Sequence, residues 1–281
     1  MQKETSLFIK NKINELRKKD SINFFTNYFL TPLDDEIFCV HNENAIIFLQ
    51  PEYDFYRMYY TYTNLEFFGV LLKEIEPDMA ISLEIIQKNE LDKNLKNILL
   101  NRFVFDTSFI KMQLLKFKET EKYTAITNKN IQYAEKSDAE IIYKELHKAF
   151  YQYSSHLPDL NKIMNYIYEK QIVVKRDANN KIDAFIIYII SGKQCNLDQI
   201  INISKRKNIV SNLINDFYVD IANKNIINIY LWVDSINNTH AKSVYEHYGY
   251  KPTELYNHIF ITKGLKSKRE NKMYYISKLF S

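Results

Sequence analysis

The side chains best placed for chemistry lie in the run LWVDSINNTHAKSVYEHYGYKPTELYNHIFI, where Tyr245 follows Ala241 by four residues and Asn238 by seven. On a helix that spacing puts all three on neighbouring turns of one side, with alanine allowing close approach. A phenol there can donate to a leaving thiolate. It can equally be a half-buried core tyrosine, with Asn238 no more than a helix cap. The histidines lack ligand-like spacing and Cys39 and Cys195 are far apart with no Cys-x-x-Cys, so neither a metal site nor a disulfide framework is expected. Reduced thiols in a cytoplasm fit this cysteine usage best.

Glycine usage excludes two large classes of phosphate chemistry. A dinucleotide fingerprint or a P-loop needs two or three glycines within about eight residues, so that backbone can approach phosphate without a Cβ in the way. The four glycines, Gly69, Gly192, Gly249 and Gly264, are scattered. The 38 basic and 34 acidic residues leave a net charge of +4, a dispersed surplus rather than a nucleic-acid-binding stripe. The N-terminus lacks a signal-type apolar core and no apolar run of about 18 residues follows, so a soluble, unexported chain is expected with no membrane partner.

The elements that must position Tyr245 read as β-α-α-β-β-β-α-β-α-β over the second half. A helix opens after Ser137-Asp138 and another spans about 159–170. QIVVKRD and KIDAFIIYII flank the turn Ala178-Asn179-Asn180 as a hairpin, and CNLDQIINI is a third strand. Ile209, Leu213, Ile214, Phe217 and Ile221 share one helix face; NIINIYLWV is a buried strand; a short helix stops at Gly249; HIFIT is the last strand. The first half ends similarly. MAISLEIIQKNELDKNLKNILLNRFVFDTSFIKMQLL repeats the strand, polar loop, helix, turn and strand of the segment around Tyr245, with Arg102-Phe103 standing where Gly249-Tyr250 stands. These patterns predict two domains, at 1–120 and 131–281, joined by a polar linker at 121–130.

Asn238, Ala241, Tyr245, Gly249 and Tyr250 match, after a buried strand, the pattern Asn-x-x-Ala-x-x-x-Tyr-x-x-x-Gly-Phe/Tyr. Through it the chain resembles acetyltransferases of the GNAT superfamily over about residues 131–263, with a weaker likeness over 35–116. The resemblance implies an α/β fold of tandem GNAT-like domains, each a central mixed sheet flanked by helices, the first a degenerate copy with a structural or substrate-closing role. It also implies acetyl-CoA as co-substrate, with Tyr245 as the acid protonating the coenzyme A sulfur and Asn238 contacting the pantetheine or phosphate portion.

The family's phosphate cradle, Arg/Gln-x-x-Gly-x-Gly/Ala, aligns with Lys205-Arg206-Lys207-Asn208-Ile209-Val210, followed by Ser211. Both cradle glycines are replaced. Asn208 tolerates left-handed backbone, whereas Val210 brings a branched Cβ to where phosphate approaches. Three cations add charge in compensation, or form only a solvated loop. By the same resemblance the preceding strand splays from its neighbour at a bulge, and Ile200, Ile201, Asn202 and Ile203 would offer backbone to the pantetheine amides. Asp198, the only acidic side chain on that strand, would be the general base; the alternative is a surface aspartate. Tyr151, Tyr153 and His156, in FYQYSSHLPDL, would wall the acceptor site or pack as a loop.

The function implied is acetyl transfer to an amine of a small molecule, amino acid or sugar, by a monomer or homodimer without nucleic-acid partner. Two other readings stand beside it: a non-catalytic tandem binding or scaffold protein with a decayed coenzyme A loop, and an aminoacyl transferase using charged tRNA. The missing basic stripe counts against the last.

Overall fold

A computed structural model describes residues 1–29, 32–34, 36–115, 117, 131–206, 208–222 and 224–265; the expected linker at 121–130 lies outside the described residues. In chain order the elements are β1 (Gln2–Thr5), α1 (Ser6–Lys19), β2 (Phe25–Thr26), β3 (Glu36–His41), β4 (Ala45–Glu52), β5 (Phe55–Tyr62), α2 (Leu65–Glu74), β6 (Ile81–Lys88), α3 (Lys93–Leu100) and β7 (Phe103–Leu114). There follow α4 (Ala139–Ala149), α5 (Leu160–Tyr168), β8 (Ile172–Arg176), β9 (Ile182–Ser191), β10 (Gln194–Asn202), α6 (Ile209–Ala222), β11 (Asn228–Asp234), α7 (Thr239–His247) and β12 (Lys251–Thr262). The strand expected to open the second half is reduced to a single antiparallel bridge, Tyr133 to Val173.

Two compact units result. One comprises Met1–Phe109 and the chain from Leu255; the other is Ile110–Glu254. In the first, the strand order β1-β3-β4-β5-β6-β12 is antiparallel except for the parallel pair β5 and β6. Strand β4 is buried on both faces because helices cover both. Ile46 and Phe48 pack with Ile9, Ile13 and Leu16 of α1, while Ile47 and Leu49 pack with Phe68 and Leu71 of α2 and Leu95 and Leu99 of α3. An alternating strand with both faces covered reads as a continuous apolar run, which AIIFL is.

The last strand belongs to this first unit, a correction to the expected assignment of HIFIT to the second domain. Its residues Leu255 to Ile261 pair antiparallel with Lys88 to Ser82 of β6. Asn257 donates to Glu84 at 2.8 Å, and the Thr262 hydroxyl accepts from the Ile81 N–H at 3.2 Å. Such pairing is fixed by long-range register, to which local pattern is blind.

In the second unit the order is β11-β10-β9-β8, again mixed: β8, β9 and β10 are antiparallel and β10 with β11 is parallel. Ile142, Leu146, Ile163 and Tyr166 of α4 and α5 cover one face through Phe185 and Ile187. Helix α6 covers Tyr188, whose ring lies 5.3 Å from Phe217. The β8–β9 hairpin turns where expected, with Asn180 left-handed at φ 63°. Along the chain each half nevertheless repeats one order, β5-α2-β6-α3-β7 and β10-α6-β11-α7-β12.

Candidate active site

The site begins where two parallel strands part. Strand β10 pairs with β9 along Gln194 to Asn202, but with β11 only at Gln194↔Asn228, Cys195↔Ile229 and Asn196↔Tyr230. Beyond that rung β10 continues through Asn202 and β11 through Asp234 with no ladder between them. The register against β9 slips between Leu197 and Gln199, so Asp198 is the extra residue of a bulge at the point of divergence. One edge of β10 is thus left facing a wedge, as a strand edge that can pair with an extended ligand bearing amides.

Asp198 is half-buried in this bulge and accepts from the Asn196 amide at 3.2 Å. Burial raises its carboxyl above the usual carboxylate range, while Lys162 of α5 and His156 pull it back down. Tyr166 is pushed up to about 12 by burial and by Asp198, and Tyr230 is raised for the same two reasons. The Lys111 ammonium sits 4.2 Å above the Tyr230 ring, and burial lowers its pKa. Gln199, only 7% exposed, holds a side-chain oxygen without a donor among the described residues. The structure thus brings Asp198 and His156 into one electrostatic neighbourhood. His156 is exposed, whereas Tyr153 is buried and packs edge-on against Tyr151 at 4.9 Å, so Tyr153 is part of the fold of its loop.

The loop after β10 turns on two left-handed residues. Lys205 and Asn208 are both left-handed, at φ 58° and 67°. The Asn208 carbonyl accepts from the Asn212 N–H at 3.1 Å and from the Ser211 hydroxyl at 2.9 Å, starting helix α6. Ile209 is buried as the first helical residue and Val210 half-buried as the second. The N–H groups of Ile209, Val210 and Ser211 lie in a first turn, where no helical acceptor exists and an anion is favoured.

Arg206 is committed elsewhere: its guanidinium is ion-paired with Asp183 of β9, its N–H donates to the Ser204 hydroxyl at 3.4 Å, and its carbonyl accepts from Asn202 at 3.3 Å. Lys207 lies outside the described residues. The expectation that Ile203 offers its backbone to a ligand is corrected for its N–H, which donates to the Asp183 carbonyl at 2.8 Å. Ile201 points into the α4/α5 core, leaving only its backbone for the wedge.

Helix α7 starts on Asn238, whose side chain accepts the Ala241 N–H at 3.2 Å. Tyr245 is half-buried, with its ring edge-on to Tyr250 at 5.6 Å and no hydrogen bond to its hydroxyl among the described residues. Tyr250 is itself held by the Tyr218 hydroxyl at 3.1 Å, and Gly249 at φ 90° makes the turn that delivers it. Burial pushes the Tyr245 phenol up to about 12. Among the described residues no hydrogen bond joins Tyr245 to Asp198 or His156.

Sequence reasoning missed Asn196, Gln199, Lys162, Tyr230 and Lys111. The polar residues alternating through CNLDQIINI were the available signal for the first two; the others converge from three separate elements and carry none. Among the described residues no group of three His, Cys, Asp or Glu side chains could hold a metal ion. No helix there is long and apolar enough to cross a membrane.

No protein-family model and no curated protein matches the chain. Solved structures do. The chain is similar to a GNAT-family acetyltransferase from Colwellia psychrerythraea, with a TM-score of 0.53 and 12% identity over 93% of this chain and 99% of that one. It is also similar to a GCN5-related N-acetyltransferase from Sphaerobacter thermophilus (TM-score 0.52, 9% identity, 78% and 80% of the two chains) and one from Kribbella flavida (0.50, 10%, 81% and 90%). The fold is GNAT-like.

Proposed function

We propose that the chain is an acyltransferase that moves the acetyl group of acetyl-CoA to an amine of a small-molecule acceptor, with the reaction centred on the second unit. The observation that carries this reading is the parting of β10 from β11 after Asn196↔Tyr230, with Asp198 bulged at the fork. A strand edge of this kind pairs with the amides of an extended pantetheine arm, and the first turn of α6 receives its phosphates. In this reading Asn238, at the start of α7, contacts that arm.

In the reaction the amine nitrogen attacks the thioester carbonyl carbon directly, the C–S bond breaks, and the sulfur leaves with the bonding pair. Asp198, raised by burial, takes the proton released by the attacking nitrogen. Tyr245 donates its phenol proton toward the sulfur. At about 12 the phenol stays protonated at neutral pH. Its pKa also exceeds that of a thiol, about 8.5, so the donation begins as a hydrogen bond and is completed when the phenolate regains a proton. Holding both reactants in one wedge supplies the orientation. The buried, unpaired thiols of Cys39 and Cys195 suit a cytoplasmic protein.

A second reading, a non-catalytic binding or scaffold protein, is favoured by one observation: Arg206 is paired with Asp183 rather than left for a phosphate. Calorimetric titration with acetyl-CoA separates the two. The acyltransferase reading requires saturable binding, and no heat of binding at millimolar acetyl-CoA eliminates it.

A further inference from the structure

The first unit has its own wedge, and it is full. Strands β5 and β6 pair in parallel at Tyr56↔Ile81, Arg57↔Ser82 and Met58↔Leu83 and then part, the same three-rung ladder that joins β10 to β11. The opposite edge of β5 is paired with β4 from Phe55 to Tyr62. Strand β2 pairs Phe25↔Tyr62 and Thr26↔Thr61, so it can reach β5 only on the edge that faces β6. It lies inside the wedge.

Asn27, which follows β2 and is 6% exposed, ties the two sides together. Its backbone N–H donates to the Tyr60 carbonyl at 3.2 Å and its side-chain oxygen accepts the Tyr60 N–H at 2.6 Å. The side-chain amide donates to the Met58 carbonyl of β5 at 3.1 Å and to the Glu84 carbonyl of β6 at 2.9 Å. The Thr26 hydroxyl adds a bond to the Tyr60 carbonyl at 2.9 Å. Every one of these is a bond that an extended amide-bearing ligand would make with a splayed strand. A second observation points the same way. Helix α2 begins at Leu65, directly after Asn64, and the Asn64 side chain accepts the N–H groups of Glu66 at 2.9 Å and Phe67 at 3.4 Å. The corresponding N–H groups at the start of α6 have no partner among the described residues, whereas here they are capped by the chain itself.

We infer that Phe25–Asn27 is a built-in occupant of the first wedge: a piece of this chain takes the place of a pantetheine-like ligand, and the first unit binds none. The identity of the displaced ligand rests on the acyltransferase reading; the closure does not. Buried bonds to both sides of the wedge hold the segment, and the ligand-binding capacity of the protein is left to the wedge between β10 and β11.

The test combines amide hydrogen exchange with calorimetry on the full chain, using coenzyme A as the probe. The Tyr60 amide is expected to be protected in the free protein and unchanged by saturating coenzyme A, with no more than one coenzyme A bound per chain. In Asn27→Ala the Tyr60 amide should exchange about tenfold faster, the effect of removing one buried hydrogen-bond partner. Should that variant fail to fold, the unmodified chain still decides. Two coenzyme A molecules per chain, or a Tyr60 amide that becomes protected only when coenzyme A is added, overturns the closure. A chain that binds no coenzyme A while Tyr60 stays protected supports the closure and removes the acyltransferase reading instead.

Discussion

Arg206, on the loop between β10 and α6, is ion-paired with Asp183, near the start of β9. The same Asp183 accepts the N–H groups of Ile203 and Ser204 through its carbonyl, at 2.8 and 3.0 Å. One residue thus fixes both the path of the loop and one of its cations. The Asp183 carboxylate competes with any incoming phosphate for Arg206. Asp183→Asn should therefore tighten coenzyme A by about threefold at low salt, on the scale of one partly exposed ion pair, with the gain vanishing at high salt. Titration calorimetry at two ionic strengths measures this, and weaker binding in the variant would show that the pair serves to shape the loop.

Tyr245 can be isolated from binding by a single change. Tyr245→Phe keeps the edge-on packing against Tyr250 and removes only the hydroxyl. Turnover should fall by about a hundredfold, the lower range for a lost general acid, while acetyl-CoA affinity stays within about twofold. Because burial pushes this phenol up to about 12, no loss of rate through its ionisation should be seen below about pH 11. Equal turnover in the two proteins excludes Tyr245 as the acid.

As the proposed general base, Asp198 should give the pH profile its acidic limb. Its pKa is raised by burial, so the carboxylate form needed to take a proton is lost as pH falls through a value above the ordinary carboxylate figure of about 3.9. Lys162 opposes that shift. Lys162→Met removes the opposing charge, so the limb of kcat/KM should move to higher pH; a limb that stays in place or moves down dissociates Asp198 from the profile.

His258 links the first unit's stability to pH. It is buried beside Ser108, with Nδ1 3.1 Å from that hydroxyl, and burial lowers its pKa; a backbone bond to Asn89 acts against this and the charge of Lys96 adds to it. A histidine whose pKa is lower folded than unfolded is protonated more readily in the unfolded chain. Its contribution is thus intact above about pH 6.5 and is lost as pH drops below that value. Comparing thermal melts at pH 7.5 and 5.5, His258→Asn should lose less stability on acidification than the unmodified chain. An identical loss in both assigns the acid sensitivity to other groups.

The sequence by itself determined most elements of the second half and the left-handed residue that precedes α6. Apolar runs such as KIDAFIIYII and the 3.6-residue period from Ile209 to Ile221 are local consequences of burial, so strands β8 to β11 and helix α6 were legible from their own residues. The five matched positions from Asn238 to Tyr250 were legible for the same reason, since a helix and its glycine stop are specified within a few turns. Asn208 was readable as a left-handed position because few other side chains tolerate one.

Only the tertiary structure decided where ladders end and what fills the space beyond them. Whether β10 stays with β11 past Asn196 depends on which edges the rest of the chain occupies, and no residue in either strand records it. The same holds for β12, whose sequence suits any mixed sheet yet pairs with β6. No local pattern around Asn27 marks it out. It gains its meaning only when Tyr60, Met58 and Glu84 surround it, because hydrogen bonds between residues 31 to 57 positions apart depend on the path of the chain, not on local pattern.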